Sequence, residues 1–246
     1  MEKTIRPRVE RIERVWTPDS KLHILHRGKE AVFAYPSIGP DTYTAVGKKI
    51  LEQGMKVPTG DYMASLLHSA YCNVSAASEP EFQNVRNIMK DNFLWVFNKD
   101  LWASEGVYTV PDLRAIGRSR PLSQNELEKM LKGGKEIKGI RFSKDKKVRF
   151  APKETYKLGD HTSESLSKDG FVIANYDFEG AEKLGEVSTK FKHNPRTYGV
   201  NVEEGQSPEL RVSALYDGRG INGSRLDVDG FNFGDYWDGH AFGVLK

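Results

Sequence analysis

Between Asp41 and Met89 apolar residues recur at helical spacing behind recognisable start signals, and downstream the apolar runs are mostly short and strand-like. Asp41 to Gln53 predicts a helix stopped by Gly54, a residue suited to the left-handed position after a helix end. Thr59 then opens a stronger helix, in which Tyr62, Met63, Leu66, Leu67, Ala70 and Tyr71 form a broad core-facing stripe. Ser78-Glu79-Pro80-Glu81 has the spacing of a capping box before Phe82, Val85, Ile88 and Met89, and Ser123 opens a short helix closed by Gly133-Gly134.

Strand-like runs lie at 21–26, 31–35, 93–97, 106–110, 170–176 and 197–202. A hairpin over 140–150 has Ile140, Phe142, Val148 and Phe150 inward. Helices early and short strands late predict an α+β domain, helices packed on short antiparallel strands with long loops. Residues 1–20 are polar with little pattern and are expected to form an N-terminal extension, leaving 21–246 as the domain.

Composition removes several functions. The 246 residues are 38% hydrophobic with a net charge of +3, and the mean hydropathy is −0.58. No apolar run has the length of a membrane span, so membrane insertion is not expected. The first residues lack the apolar core of a secretory signal, which leaves the compartment open, with a virion or cell surface compatible. Lysines and arginines cluster between Lys129 and Lys157 without a nucleic-acid reading motif, so they predict a solvated hairpin face and no nucleic-acid partner.

Catalytic and metal signals are weak. Cys72 is the single cysteine, at the end of a helical pattern, so a buried thiol is expected and a disulfide framework is excluded. His23 and His26 point to opposite faces of a strand and cannot share an ion. There is no His-x-x-x-His, and Asp160, His161 and Ser163 do not make a triad by adjacency. No enzyme, cofactor or metal is expected on these grounds.

The last thirty-odd residues use a different alphabet. Arg211 to Leu245 contains no Glu, Gln, Met or Lys, although Lys and Glu are the commonest charged residues upstream. Their place is taken by Tyr216, Asp217, Arg219, Asn222, Asp227, Asp229, Phe231, Asn232, Phe233, Asp235, Tyr236, Asp238 and His240, spaced by glycines. Rigid aromatics among adaptable short polar residues are the composition of a recognition surface. Alternation over 225–233 puts Leu226 and Val228 on one strand face and Arg225, Asp227, Asp229, Phe231 and Phe233 on the other. Phe242 and Val244 complete an apolar frame. Asp227, Asp229, Asp235 and Asp238 also offer oxygen ligands, although their spacing matches no EF-hand loop.

This segment resembles the variable region of proteins targeted by diversity-generating retroelements, which carry a C-type lectin-like fold. Adenine randomisation of AAY codons in that family cannot produce Lys, Glu, Gln, Met or Trp, and the variable region closes with a short constant tail, as Ala241-Phe242-Gly243-Val244-Leu245 would here. Lys56-Val57-Pro58-Thr59-Gly60-Asp61-Tyr62 is similar to a helix entry in formylglycine-generating-enzyme-like members of the fold class. The usual Gly-Gly-Ser-Trp opening is absent, and Ala241-Phe242-Gly243 stands where Gly-Phe-Arg is usual. The cysteine pair of the formylglycine-generating enzymes is also missing. The resemblance implies a non-enzymatic binder of a protein or glycan receptor, with a variable region at about 211–246. Trp237, outside the AAY set, becomes a constant residue and a packed floor. The alternative is a calcium-dependent carbohydrate-binding module.

Overall fold

The computed structural model describes residues 8–12, 19–218 and 224–245, with 8–12 and Asp19 described by backbone alone. Strand β1 (Arg8–Ile12), β2 (Asp19–His26) and β3 (Lys29–Tyr35) form a three-stranded antiparallel sheet. Residues 8–12, within the expected N-terminal extension, are paired along β2. The β2–β3 hairpin turns through two left-handed residues, Arg27 (φ 49°) and Gly28 (φ 72°). Glycine adopts that conformation freely; the arginine is held there by its ion pairs, described below.

The rest of the chain runs β4 (Ile38–Asp41), α1 (Tyr43–Glu52), α2 (Gly60–Cys72), α3 (Val74–Ala77), α4 (Pro80–Asp91), β5 (Phe93–Ala103) and β6 (Gly106–Pro111). Then come α5 (Gln124–Leu131), β7 (Lys135–Ile137), β8 (Ile140–Phe142), β9 (Arg149–Pro152), β10 (Gly159–Asp160), α6 (Ser163–Ser167) and α7 (Gly170–Ser188). The chain closes with β11 (Arg196–Tyr198), β12 (Glu209–Asp217), β13 (Leu226–Asn232) and β14 (Gly239–Ala241). The second sheet has the order β10-β11-β13-β12-β5-β6-β9-β8-β7, and β14 joins it to β4 by pairing with β4 and β5. The fold class is α+β, as the pattern of apolar residues implies.

Alternation along β5 sets the layers. Leu94 and Val96 enter a core shared with Met63, Leu66, Phe82, Val85, Phe171 and Leu184 of α2, α4 and α7. Trp95 and Phe97 point to the opposite face and pack with Tyr43, Val46 and Ile50 of α1. The large sheet is thus covered on both faces. The tail is pinned between distant segments: Leu245 N–H donates to Val32 O at 2.8 Å, and Val244 N–H donates to Lys56 O at 2.8 Å.

Two local expectations are corrected, and a third holds by position only. Gly170–Tyr176 is the first part of α7, where a strand was expected. A continuous apolar run lacks the period that separates a buried strand from a buried helix. Its start is fixed by Asp169, whose carboxylate accepts the Val172 N–H at 3.2 Å. The Ser78 capping box does not form: Glu79 occupies the cap position, Pro80 the first turn, and the Ser78 hydroxyl donates to Ser75 O at 2.8 Å. Thr59 caps α2 by position, but its hydroxyl donates to Asp61 and not back to the helix.

Candidate functional site: the C-terminal face

The frame residues lie where the alternation puts them. Leu226, Val228 and Phe242 are fully buried and Val244 nearly so, all in the core against the helices. Opposite them the pattern breaks. Ala214 pairs with Asp229 but Val212 pairs with Asn232, so β13 carries an extra residue and its faces exchange. Past this bulge Asn232 turns inward and Phe231 outward.

Four of the thirteen anticipated display positions are corrected, Asn232 by that bulge and three others by burial ahead of it. Asp217, Asp227, Asp229 and Asn232 are buried, each with hydrogen-bonding partners. Asp217 accepts the Arg225 N–H at 3.0 Å, and Asp227 takes the Arg225 Nε–H at 2.7 Å. Asp229 accepts the Phe231 N–H at 2.6 Å and, through its other oxygen, the Asn232 amide at 3.3 Å. Asn232 Oδ1 in turn accepts the Gly234 N–H at 2.8 Å, and Gly234 O accepts the Tyr43 N–H at 3.1 Å. Short polar side chains here serve as backbone splints, the role such residues take in turns. Burial pushes the carboxyls of Asp227 and Asp229 up to about 6, against the hydrogen bonds that favour their charged forms. Asp227 and Asp229 are therefore already engaged and do not stand open as a pair for a hard cation.

What the splints present is aromatic. Phe231, Phe233, Tyr236 and Trp237 are 45%, 38%, 51% and 76% exposed, and among the described residues every exposed large aromatic side chain lies in this stretch. Trp237 is thus the most exposed of the four and not the packed floor anticipated for it. The floor is made elsewhere. Tyr236 rests on Phe93 at 5.3 Å between ring centroids, and Phe93 stacks on Trp95 at 5.7 Å. Trp95 donates its indole N–H to Asp41 O at 3.0 Å. A Cβ at Gly239 would sit 1.9 Å from that indole nitrogen, so only glycine lets β14 pass the floor. Phe231 and Phe233 meet edge to face at 5.9 Å, and Arg118 and Arg211 both lie over the Phe233 ring, at 4.6 and 4.2 Å.

The remaining anticipated positions divide. Asp235 and Asp238 are exposed beside the rings. Tyr216 is half-buried, with Phe93 against its edge at 4.8 Å and Tyr198 stacked at 6.4 Å. His240 is half-buried at the margin, its Nδ1 3.1 Å from the Ser37 hydroxyl. Arg219 and Asn222 lie outside the described residues. Phe93, Arg118 and Arg211 complete the face without a distinguishing sequence signal of their own, since they come from β5, the loop after β6 and β12.

A second concave region appears where α7 breaks. Asp177 interrupts the helix with φ 60° and ψ −177°, a conformation costly for any residue but glycine. The break frees two carbonyls: Ala174 O accepts from Arg149 at 3.1 Å and Asn175 O from Asn98 at 2.8 Å. Asp177 restarts the helix by accepting the Gly180 N–H at 3.0 Å, and it also pairs with Arg27. Arg27 reaches Asp61 at 3.0 Å as well, and His26 stands 3.5 Å from the same carboxylate. Arg27, Asp61, Asn98, Arg149, Asn175 and Asp177 line a cavity of about 550 Å³. Burial pushes the Asp61 carboxyl up, but hydrogen bonds from His26 and Thr59 and the Arg27 charge hold it well below the usual carboxylate range. Just inside, the wholly buried Asp100 accepts from Thr109 at 2.7 Å, from Asn175 at 2.8 Å and from Ser213. Burial raises it to about 6 despite those bonds.

No family model, no curated protein and no solved structure matches this chain. Among the described residues no helix is long and apolar enough to cross a membrane.

Proposed function

We propose that the chain is a non-enzymatic ligand-binding protein, built on a C-type lectin-like variant of the α+β class, whose recognition surface is Phe231, Phe233, Asp235, Tyr236, Trp237 and Asp238. The observation that carries this reading is the run of four exposed aromatic rings over a base held by the hydrogen bonds of Asp229 and Asn232. An aromatic ring left in water gives up the burial that a partner would supply, and monomeric proteins rarely concentrate such surface without use. The exposed guanidinium of Arg118 and the carboxylates of Asp235 and Asp238 supply the polar contacts that fix orientation, while the buried Arg211, paired with Glu209, backs the Phe233 ring. The receptor in this reading is a protein or a glycan.

The restricted alphabet of 211–245 supports the further proposal that a diversity-generating retroelement varies this surface. Exchangeable positions then fall on the exposed residues, whereas Asp227, Asp229 and Asn232 belong to the frame. Trp237 is a constant member of the face. Sequencing the DNA around the gene tests this. The expected result is a reverse-transcriptase gene beside a near-copy of the codons for 211–246 that differs at adenines. A flank with neither removes the retroelement, leaving a fixed binding surface to be tested by its aromatic residues.

A further inference from the structure

Away from the C-terminal face, α2 and α7 bring together three side chains with metal-ligand chemistry. His68 and Cys72 are four residues apart on α2 and so project from one face of the helix. Glu186 comes from the facing side of α7. The imidazole Nε2 lies 2.7 Å from a Glu186 carboxylate oxygen, and the three candidate ligand atoms all lie within 4.8 Å of one another. This is the only such group of His, Cys, Asp and Glu among the described residues. We propose that His68 Nε2, Cys72 Sγ and Glu186 Oε2 bind one divalent ion of the zinc class.

The donor set is the first reason. One nitrogen, one sulfur and one oxygen suit a borderline-soft tetrahedral ion and are a poor match for calcium or magnesium, which require oxygen. The spacing is the second. A pair at i and i+4 on one helix is the same device that places two histidines on zinc in helical motifs, and a cysteine in the second position preserves its geometry. Ligand atoms around a tetrahedral zinc stand about 3.3–3.7 Å apart. The His68–Glu186 contact must therefore open and the wider separations close, each by about an ångström. Glu186 can make that adjustment, because its side chain is 66% exposed while His68 is 30% exposed. Three protein ligands leave a fourth position for water or an incoming donor, and the exposure of Glu186 puts that position at the surface.

Cobalt is the probe, because a thiolate ligand announces itself by a sulfur-to-metal charge-transfer band in the near ultraviolet. The whole protein, kept reduced, is titrated with Co²⁺ and then with Zn²⁺. The expected result is one Co²⁺ per chain, with the near-ultraviolet band and tetrahedral visible absorption, both lost on addition of Zn²⁺. Cys72→Ser removes the near-ultraviolet band, and His68→Ala and Glu186→Gln each weaken Co²⁺ binding by about tenfold or more. All three positions are partly exposed, so circular dichroism of the variants should match that of the parent. No charge-transfer band up to about millimolar Co²⁺, a weak limit for a three-ligand site, overturns the proposal. So does a band whose affinity is unchanged in both His68→Ala and Glu186→Gln, since that is cobalt on a lone thiol.

Discussion

Between Phe231 and Asp238 the chain leaves apolar rings in water above hydrogen-bonded aspartate and asparagine side chains, whereas around Asp177 it sets charges beside partners that neutralise them. Both regions contain aspartates and arginines in unusual places, and composition does not tell them apart. Their unmet needs do. In the cleft Arg27 has two carboxylates, Asp177 restarts a helix and Arg149 closes a freed carbonyl, so the charged cluster is accounted for by architecture. On the C-terminal face the polar residues are accounted for in the same way, but the rings above them are not. A partner is inferred where apolar surface remains uncovered, not where charge is merely concentrated.

The comparison breaks most easily in the cleft. Asp61→Ala takes one of two carboxylates from Arg27 and removes the buried acceptor shared by His26 and Thr59. Losing a buried charged acceptor costs about 2–3 kcal/mol, and chemical denaturation of the variant should show a loss of that order. A loss below about 1 kcal/mol would mean that the cluster does not brace the fold, and the cleft would become the better candidate for a ligand site.

Asp229→Ala tests the splint beneath the face. It leaves the Phe231 N–H and the Asn232 amide without their carboxylate, at a cost of about 1–3 kcal/mol in unfolding free energy. Because Asn232 positions Gly234, and Gly234 meets Tyr43, the ring loop should lose its fixed geometry as well. Amide exchange at Phe231 and Gly234 should quicken by more than the global loss explains. Protection that falls only in step with global stability would show that the loop is held by other contacts.

Much of this arrangement is legible in the residues, with one systematic gap. The frame residues Leu226, Val228, Phe242 and Val244 and the helices over 41–91 follow from period. The hairpin over 140–150 forms, but Ile140 and Phe142 enter one core and Val148 and Phe150 another, because Arg141 and not Phe142 lies opposite Phe150. The aromatic face is legible as composition. The division between display and splint is not: Asp217, Asp227 and Asp229 are buried by the elements packed over them, and Phe231 and Asn232 are sorted by the bulge opposite Val212 and Ala214, where an extra residue leaves no mark on the alternation. The break in α7 is hidden for a different reason: Asp177 follows an apolar run that suits strand or helix, and the partners that stabilise the break come from 27, 98 and 149. His68 and Cys72 escape a search for paired histidines, and Glu186 joins them only through helix packing.

Acid should sharpen the contrast by a smaller amount. Burial raises Asp100, Asp169, Asp227 and Asp229 to about 6 in the folded chain, from 3.8. The folded state therefore holds the extra protons between those limits, and the stabilisation is complete below 3.8 and lost as pH rises through 6. Carboxylates held low, Asp61 and Glu128 among them, act in the opposite sense, and their contribution is lost as pH falls below about 4. The melting temperature should rise from pH 7.5 to about 5 and fall again below about 4. Asp229→Asn should flatten the upper limb by about 1 kcal/mol, one carboxyl's share at roughly one pKa unit. A melting temperature that instead falls steadily from pH 7.5 to 5 would show that these carboxyls are not held in the protonated form.

The smallest effect is expected at the most exposed ring. Trp237 is 76% exposed, and no ring contact or hydrogen bond is recorded for its side chain among the described residues. Trp237→Ala should therefore change unfolding free energy by no more than about 0.5 kcal/mol, the range of ordinary surface positions. Against any ligand captured by the intact chain, the same change should weaken binding by about 2 kcal/mol, because a tryptophan at the centre of an interface carries a disproportionate share of its energy. Stability and affinity would then be separated within one residue. A melting temperature lowered by many degrees with affinity intact would make Trp237 part of the frame after all, and would leave Phe231, Phe233 and Tyr236 as a narrower face.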